Sequence, residues 1–171
     1  MPSVKNQRLI TPPTYVEYQG LKFLILDAPS NNTLPIYLKE MERYKVTDIV
    51  RACDATYSKH LLEARNIEVH DWSFPDGAPP PPHIVDQWLR LVQKRFEVDG
   101  SNPHNATIAV HCVAGLGRAP ILVAIALIEY GMSPLDSVQF IRSKRNGAIN
   151  RKQLQYVEAY KRRSKGRCSI M

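Results

Sequence analysis

Residues 107–132 read TIAVHCVAGLGRAPILVAIALIEYGM, and the order of residue types within them sets the architecture. The apolar run 106–112 predicts a buried strand. Gly115, Gly117 and Arg118 interrupt it, and residues 119–130, entered through Pro120, predict a long apolar helix. Proline is tolerated there because the first N–H groups of a helix have no intrahelical acceptor to lose.

Working outward, residues 15–19 and 21–26 predict two short strands around Gly20, and TLPIYLKEMERYK (33–45) sets Leu34, Tyr37, Leu38 and Met41 at helical spacing. TDIVRAC (47–53) predicts a strand, KHLLEARN (59–66) a short helix and IEVHDW (67–72) a strand. SFPDGAPPPP (73–82) is too rich in proline to be either and reads as a loop. HIVDQWLRLVQKRFEV (83–98) predicts a helix through Ile84, Trp88, Leu91, Val92 and Phe96, and residues 133–145 and 150–163 predict two more. Strands alternating with helices imply an α/β fold, a mostly parallel central sheet flanked by helices on both faces. Such sheets present ligands at the carboxyl ends of their strands. HCVAGLGR (111–118) falls at such an end, and so does the acid-bearing loop after 67–72.

A chain of 171 residues with 44% hydrophobic and 23% charged residues suits one soluble domain with a substantial core. The longest apolar run, ILVAIALI at 121–128, is far short of a membrane span. The N-terminal MPSVKNQRLITPP has no apolar stretch of signal-peptide length, so a cytosolic chain with mostly reduced cysteines is expected. Cys53, Cys112 and Cys168 form no C-x-x-C pair and no zinc-spaced cluster, so neither a metal nor a cofactor is expected. Of the net charge of +7, five positive charges sit in KRRSKGR (161–167), leaving +2 for the rest. No basic stripe with interleaved aromatics remains to bind nucleic acid. The natural division is a domain over 1–160 and a basic tail over 161–171.

Three chemistries compete for HCVAGLGRAP (111–120). Gly115-x-Gly117 between a strand and a helix opens like a dinucleotide fingerprint, but Pro120 stands where the third glycine belongs. Cys112 can also be a buried core thiol, the common fate of a cysteine on an apolar strand. The third reading accounts for more residues. Backbone N–H groups of Val113, Ala114, Gly115, Leu116 and Gly117, leading into a helix N-terminus, form a nest for a phosphate dianion, and the planar fork of Arg118 closes it. The same positive surroundings favour the thiolate of Cys112.

V-H-C-x-A-G-x-G-R resembles the signature of the cysteine-based protein tyrosine and dual-specificity phosphatases. HCVAGLGRAP in full is similar to the phosphatase of regenerating liver family (protein tyrosine phosphatase type IVA). The similarity extends through VRACDATY, DWSFPDGAPPP, IVDQWL, VQFIRSKRNGAIN and the C-terminal cysteine, and so covers nearly the whole chain. It implies the dual-specificity phosphatase fold. It also implies hydrolysis of phosphotyrosine or phosphoserine/threonine proteins, with Cys112 as nucleophile and Arg118 as phosphate clamp.

Cleaving a phosphoryl ester through cysteine needs a proton for the leaving oxygen, and hence a carboxylic acid on a mobile loop. From the residues alone, Asp76-Gly77 reads equally as that acid and as a plain turn; the resemblance assigns Asp76 the acid. Asp71, at a strand end, is expected to position neighbouring groups. Ala119 departs from most relatives, which carry serine or threonine there; the missing hydroxyl leaves the departing thiolate without a donor and predicts slow hydrolysis of the phosphocysteine. Val113 and Leu116 make the cradle apolar, favouring phosphoproteins over highly charged lipids.

Cys53, read alone, is an inert buried thiol; the resemblance implies a reversible disulfide between Cys53 and Cys112. Cys168-Ser169-Ile170-Met171 is a prenylation box whose terminal methionine favours farnesyl. With Lys161, Arg162, Arg163, Lys165 and Arg167 before it, lipid and charge together form a two-part anchor for an anionic membrane. The expected location is the cytoplasmic face of plasma or endosomal membranes, with a cytosolic pool. The resemblance further implies trimers and, as an alternative role, binding of cyclin M magnesium transporters. Pro75 replaces an acidic residue used in that contact, while Arg142 and Arg145 are expected to leave a basic surface for it.

Overall fold

The computed structural model describes residues 9, 11–97 and 101–163. A five-stranded sheet in the order β1-β2-β5-β3-β4 lies at its centre, made of β1 Thr14–Tyr18, β2 Leu21–Leu26, β3 Val46–Arg51, β4 Glu68–Asp71 and β5 Thr107–His111. The β1–β2 pair is antiparallel; β2, β5, β3 and β4 run parallel. All five residues of β5 are buried, as befits a strand covered on both faces.

Alternation along the strands divides the core. Phe23 and Ile25 of β2, with Ile108 and Val110 of β5, face one layer of helices, α3 Pro82–Phe96 and α4 Arg118–Glu129. Leu24, Leu26 and Ala109 face the other, α1 Leu34–Arg43 and α2 His60–Glu63. The four apolar positions expected on α1 are its buried residues, and Ile84, Trp88, Leu91, Val92 and Phe96 all lie inward on α3. Every residue of α4 is buried, which explains a helix apolar on all sides. Two further helices, α5 Pro134–Lys144 and α6 Arg151–Ala159, pack against α4. No described helix is long and apolar enough to cross a membrane.

The helix expected over 150–163 stops at Ala159: Tyr160 is extended and its hydroxyl donates to Glu129 Oε1 at 2.8 Å. This tertiary contact ends the element before its sequence pattern does. Cys53 lies two residues past the end of β3 rather than on it.

Candidate active site

At the carboxyl end of β5 the chain turns through Cys112–Gly117 into α4. Four successive carbonyls of this turn are held from outside it. Val113 O accepts from Ala28 N–H at 2.9 Å and Leu116 O from Ile149 N–H at 2.7 Å. Between them, Ala114 O and Gly115 O accept from Arg145 Nη2 at 3.1 Å and Nε at 2.7 Å. In a trans peptide the carbonyl and the next N–H point in opposite directions, so the N–H groups of Ala114, Gly115, Leu116 and Gly117 face away from these partners. Gly115 has φ +68, and a Cβ there would stand 2.6 Å from Leu26 O, so only glycine fits.

A cavity of about 280 Å³ opens on this side. Cys112 lies in its lining at 3% exposure, with Val113, at 61%, and Leu116 on the rim. Asp76 lines it too, its side chain 85% exposed, and its Oδ1 is 3.7 Å from Arg118 Nε. Arg118 is buried and donates through Nη1 to Phe74 O at 3.1 Å, which ties it to the stretch before Asp76. The buried side-chain atoms without a hydrogen-bond partner among the described residues are Arg118 Nε and Gln153 Nε2, and Gln153 also lines this cavity.

The sequence reading missed Gln153. Its sign was Asn150-x-x-Gln153, a capping box: Asn150 Oδ1 accepts from Gln153 N–H, and Gln153 Oε1 accepts from Asn150 N–H. With its oxygen so occupied, the carboxamide turns its Nε2 toward Gly117.

Behind Cys112 lies a second polar layer. His111 Nδ1 is 3.2 Å from Cys112 O, a pure acceptor, so Nδ1 carries the proton and Nε2 accepts from Tyr57 O–H at 2.7 Å. Burial pushes the His111 pKa down to about 4 and keeps the ring neutral. Cys53 Sγ is 3.8 Å from the same Nδ1, both Cys53 and Cys112 are free thiols, and burial pushes the Cys53 pKa up. Asp71 is bound by both arms of the Arg51 guanidinium at 2.5 and 2.8 Å, and this pairing holds its carboxyl below the ordinary range.

One expectation needs correction. Arg145 is no part of a basic surface: it is 4% exposed, with its fork on loop carbonyls. Arg142, by contrast, stays exposed while donating to Ala148 O and Ile149 O. Two basic residues assigned to the tail, Arg162 and Arg163, contact the domain. Arg162 Nε donates to Ile128 O at 3.0 Å, Arg163 N–H donates to Glu129 Oε1 at 2.7 Å, and the Arg163 guanidinium pairs with Asp86. Lys161 is exposed; Lys165, Arg167 and Cys168 lie outside the described residues.

Asp48, Glu68 and His70 come together at the opposite end of the sheet with metal-like spacing. Both Asp48 oxygens are already taken by Arg95, at 2.6 and 3.0 Å, so its charge is matched without an ion.

A family profile described as protein-tyrosine phosphatase matches residues 30–162. A probable protein tyrosine phosphatase type IVA A of Dictyostelium discoideum is 48% identical over 163 residues, 95% of this chain and 96% of that one. Human protein tyrosine phosphatase type IVA 3 is 52% identical over 150 residues, 87% and 84% of the two chains. The solved structure of a putative protein tyrosine phosphatase from Leishmania major superposes with a TM-score of 0.77 at 48% identity, over 89% of this chain and all of that one. With its cysteine-to-arginine turn between β5 and α4, the chain belongs to the cysteine-based protein-tyrosine phosphatases, and within them to the type IVA family.

Proposed function

We propose that the protein hydrolyses phosphoprotein monoesters through a phosphocysteine at Cys112. The observation that carries the reading is the turn itself, a cysteine at the base of four N–H groups whose carbonyls are all held from behind. The thiolate sulfur attacks phosphorus while the ester oxygen leaves with the proton of Asp76. Backbone N–H groups and the Arg118 fork hold the other phosphoryl oxygens. In the second step water attacks phosphorus, Asp76 takes its proton, and the thiolate departs.

Ala119, buried at the start of α4, offers that thiolate no hydroxyl, so the second step is slow. Rapid-quench kinetics with an aryl phosphate test both steps. A burst equal to the enzyme concentration, with phosphate recovered on Cys112, is expected. No adduct would remove the nucleophile; an adduct without a burst would remove the slow step.

The apolar rim of Val113 and Leu116 supports protein rather than polyanionic substrates. The nearness of Cys53 to His111 beneath the cradle supports a reversible Cys53–Cys112 disulfide under mild peroxide. Peptide mapping that finds both thiols free after inactivation sinks it. Farnesylation of Cys168, with Lys165 and Arg167 beside it, supplies the membrane anchor, and an unchanged membrane fraction for Cys168→Ser argues against it. The alternative role, binding cyclin M transporters, loses the support that Arg145 was expected to lend.

A further inference from the structure

Two carbonyls of the turn, those of Ala114 and Gly115, are held by one side chain that lies 30 residues away from Gly115 in sequence. We propose that Arg145 is a positioning residue of the phosphatase reaction: its guanidinium holds these two peptides in the orientation that turns the N–H groups of Gly115 and Leu116 toward the phosphoryl oxygens. The inference rests on the phosphocysteine reading of Cys112.

The geometry makes the role specific to arginine. Nε and Nη2 form one edge of a planar fork and reach adjacent carbonyls, while Nη1, on the far side, donates to Thr14 Oγ1 at 2.9 Å and Pro12 O at 3.4 Å. The fork therefore clamps the middle of the turn to the entry of edge strand β1. Lysine keeps the charge, but its single nitrogen cannot hold two carbonyls and Thr14 in one plane. A released peptide can rotate its carbonyl toward the pocket, where it faces the phosphate as an acceptor facing an acceptor. Gly115 belongs to the same device, since a Cβ there would stand 2.5 Å from Arg145 Nη2.

The test compares Arg145→Lys with Arg95→Lys, which loosens an equally two-armed arginine at the other end of the sheet. Orthophosphate is the probe, read as competitive inhibition of aryl phosphate turnover and as protection of Cys112 from iodoacetate. Wild type and Arg95→Lys should bind phosphate alike. Arg145→Lys should bind it at least tenfold more weakly, with KM raised more than kcat is lowered. If Arg145→Lys does not fold, Thr14→Val, which leaves Nη1 only the longer bond to Pro12 O, should weaken phosphate binding several-fold at near-normal stability. Unaltered phosphate binding in whichever of these two variants is read overturns the role of Arg145. Failure of phosphate to protect Cys112 in wild type overturns the underlying reading of the site.

Discussion

Arginines pack at both ends of the central sheet, and their charges are met differently. At the amino end, Arg95 grips both oxygens of Asp48, which also accepts from Thr47 and lies 2.9 Å from His70, and Glu68 completes the group. There, charge meets charge. At the carboxyl end Arg51 is likewise matched, by Asp71, but Arg145 and Arg118, the two arginines at the turn, are held mainly by backbone carbonyls, and the one carboxylate near Arg118 is exposed and 3.7 Å away. A carbonyl satisfies a guanidinium's hydrogens without cancelling its charge. The first end is finished as a structure; the second retains positive charge that a phosphate dianion can complete.

The contrast breaks if arginines at the two ends prove interchangeable in effect. Arg118→Lys should lower kcat on the order of 10²–10³-fold while leaving the melting temperature nearly unchanged. Asp48→Asn should do the reverse, removing about 3 kcal/mol of stability by leaving Arg95 poorly matched, with turnover per folded molecule intact. Comparable activity losses from both would end the distinction.

Acid separates the ends further. Neutral His111, with its pKa near 4 in the fold, forces the unfolded chain to gain a proton first. Its contribution of about 3 kcal/mol is therefore present above pH 6.5 and lost as pH falls toward 4. For Asp48, burial raises the carboxyl's pKa, but hydrogen bonds from His70, Arg95 and Thr47 outweigh it and hold the pKa at about 2. That contribution, about 2 kcal/mol, is present above the unfolded value of 3.8 and is lost as pH falls toward 2. Melts across pH should show both windows in wild type and only the upper one in Asp48→Asn. The smallest effect is Ala119→Ser, which restores a donor to the departing thiolate. Steady-state turnover should rise about tenfold and the burst should shrink.

How much was readable beforehand differs between residues for physical reasons. The buried stripe of α1 and the apolar face of α3 follow from helical period, which a chain carries locally. The Cys112-to-Arg118 turn was also readable, because strand, glycines and helix are contiguous. Arg145 was not: it sits in the polar run SKRNG and looks solvated, and only the docking of α5 beside the turn buries it. Gln153 had a local sign in its capping box, but that sign announces a helix start, not the wall of a cavity. The contacts of the tail residues Arg162 and Arg163 were not readable either, because their partners, Ile128 and Asp86, come from helices more than thirty residues earlier.

The grips on the Cys112–Gly117 turn come from Ala28, Arg145 and Ile149, so its ends and middle are tied to both halves of the chain. No fragment that lacks either half can assemble it. Phosphate or a transition-state mimic should therefore raise the cooperativity of unfolding for the entire domain. The Cys112–Gly117 turn becomes a reporter of global folding, and inactivation should coincide with loss of the core rather than precede it.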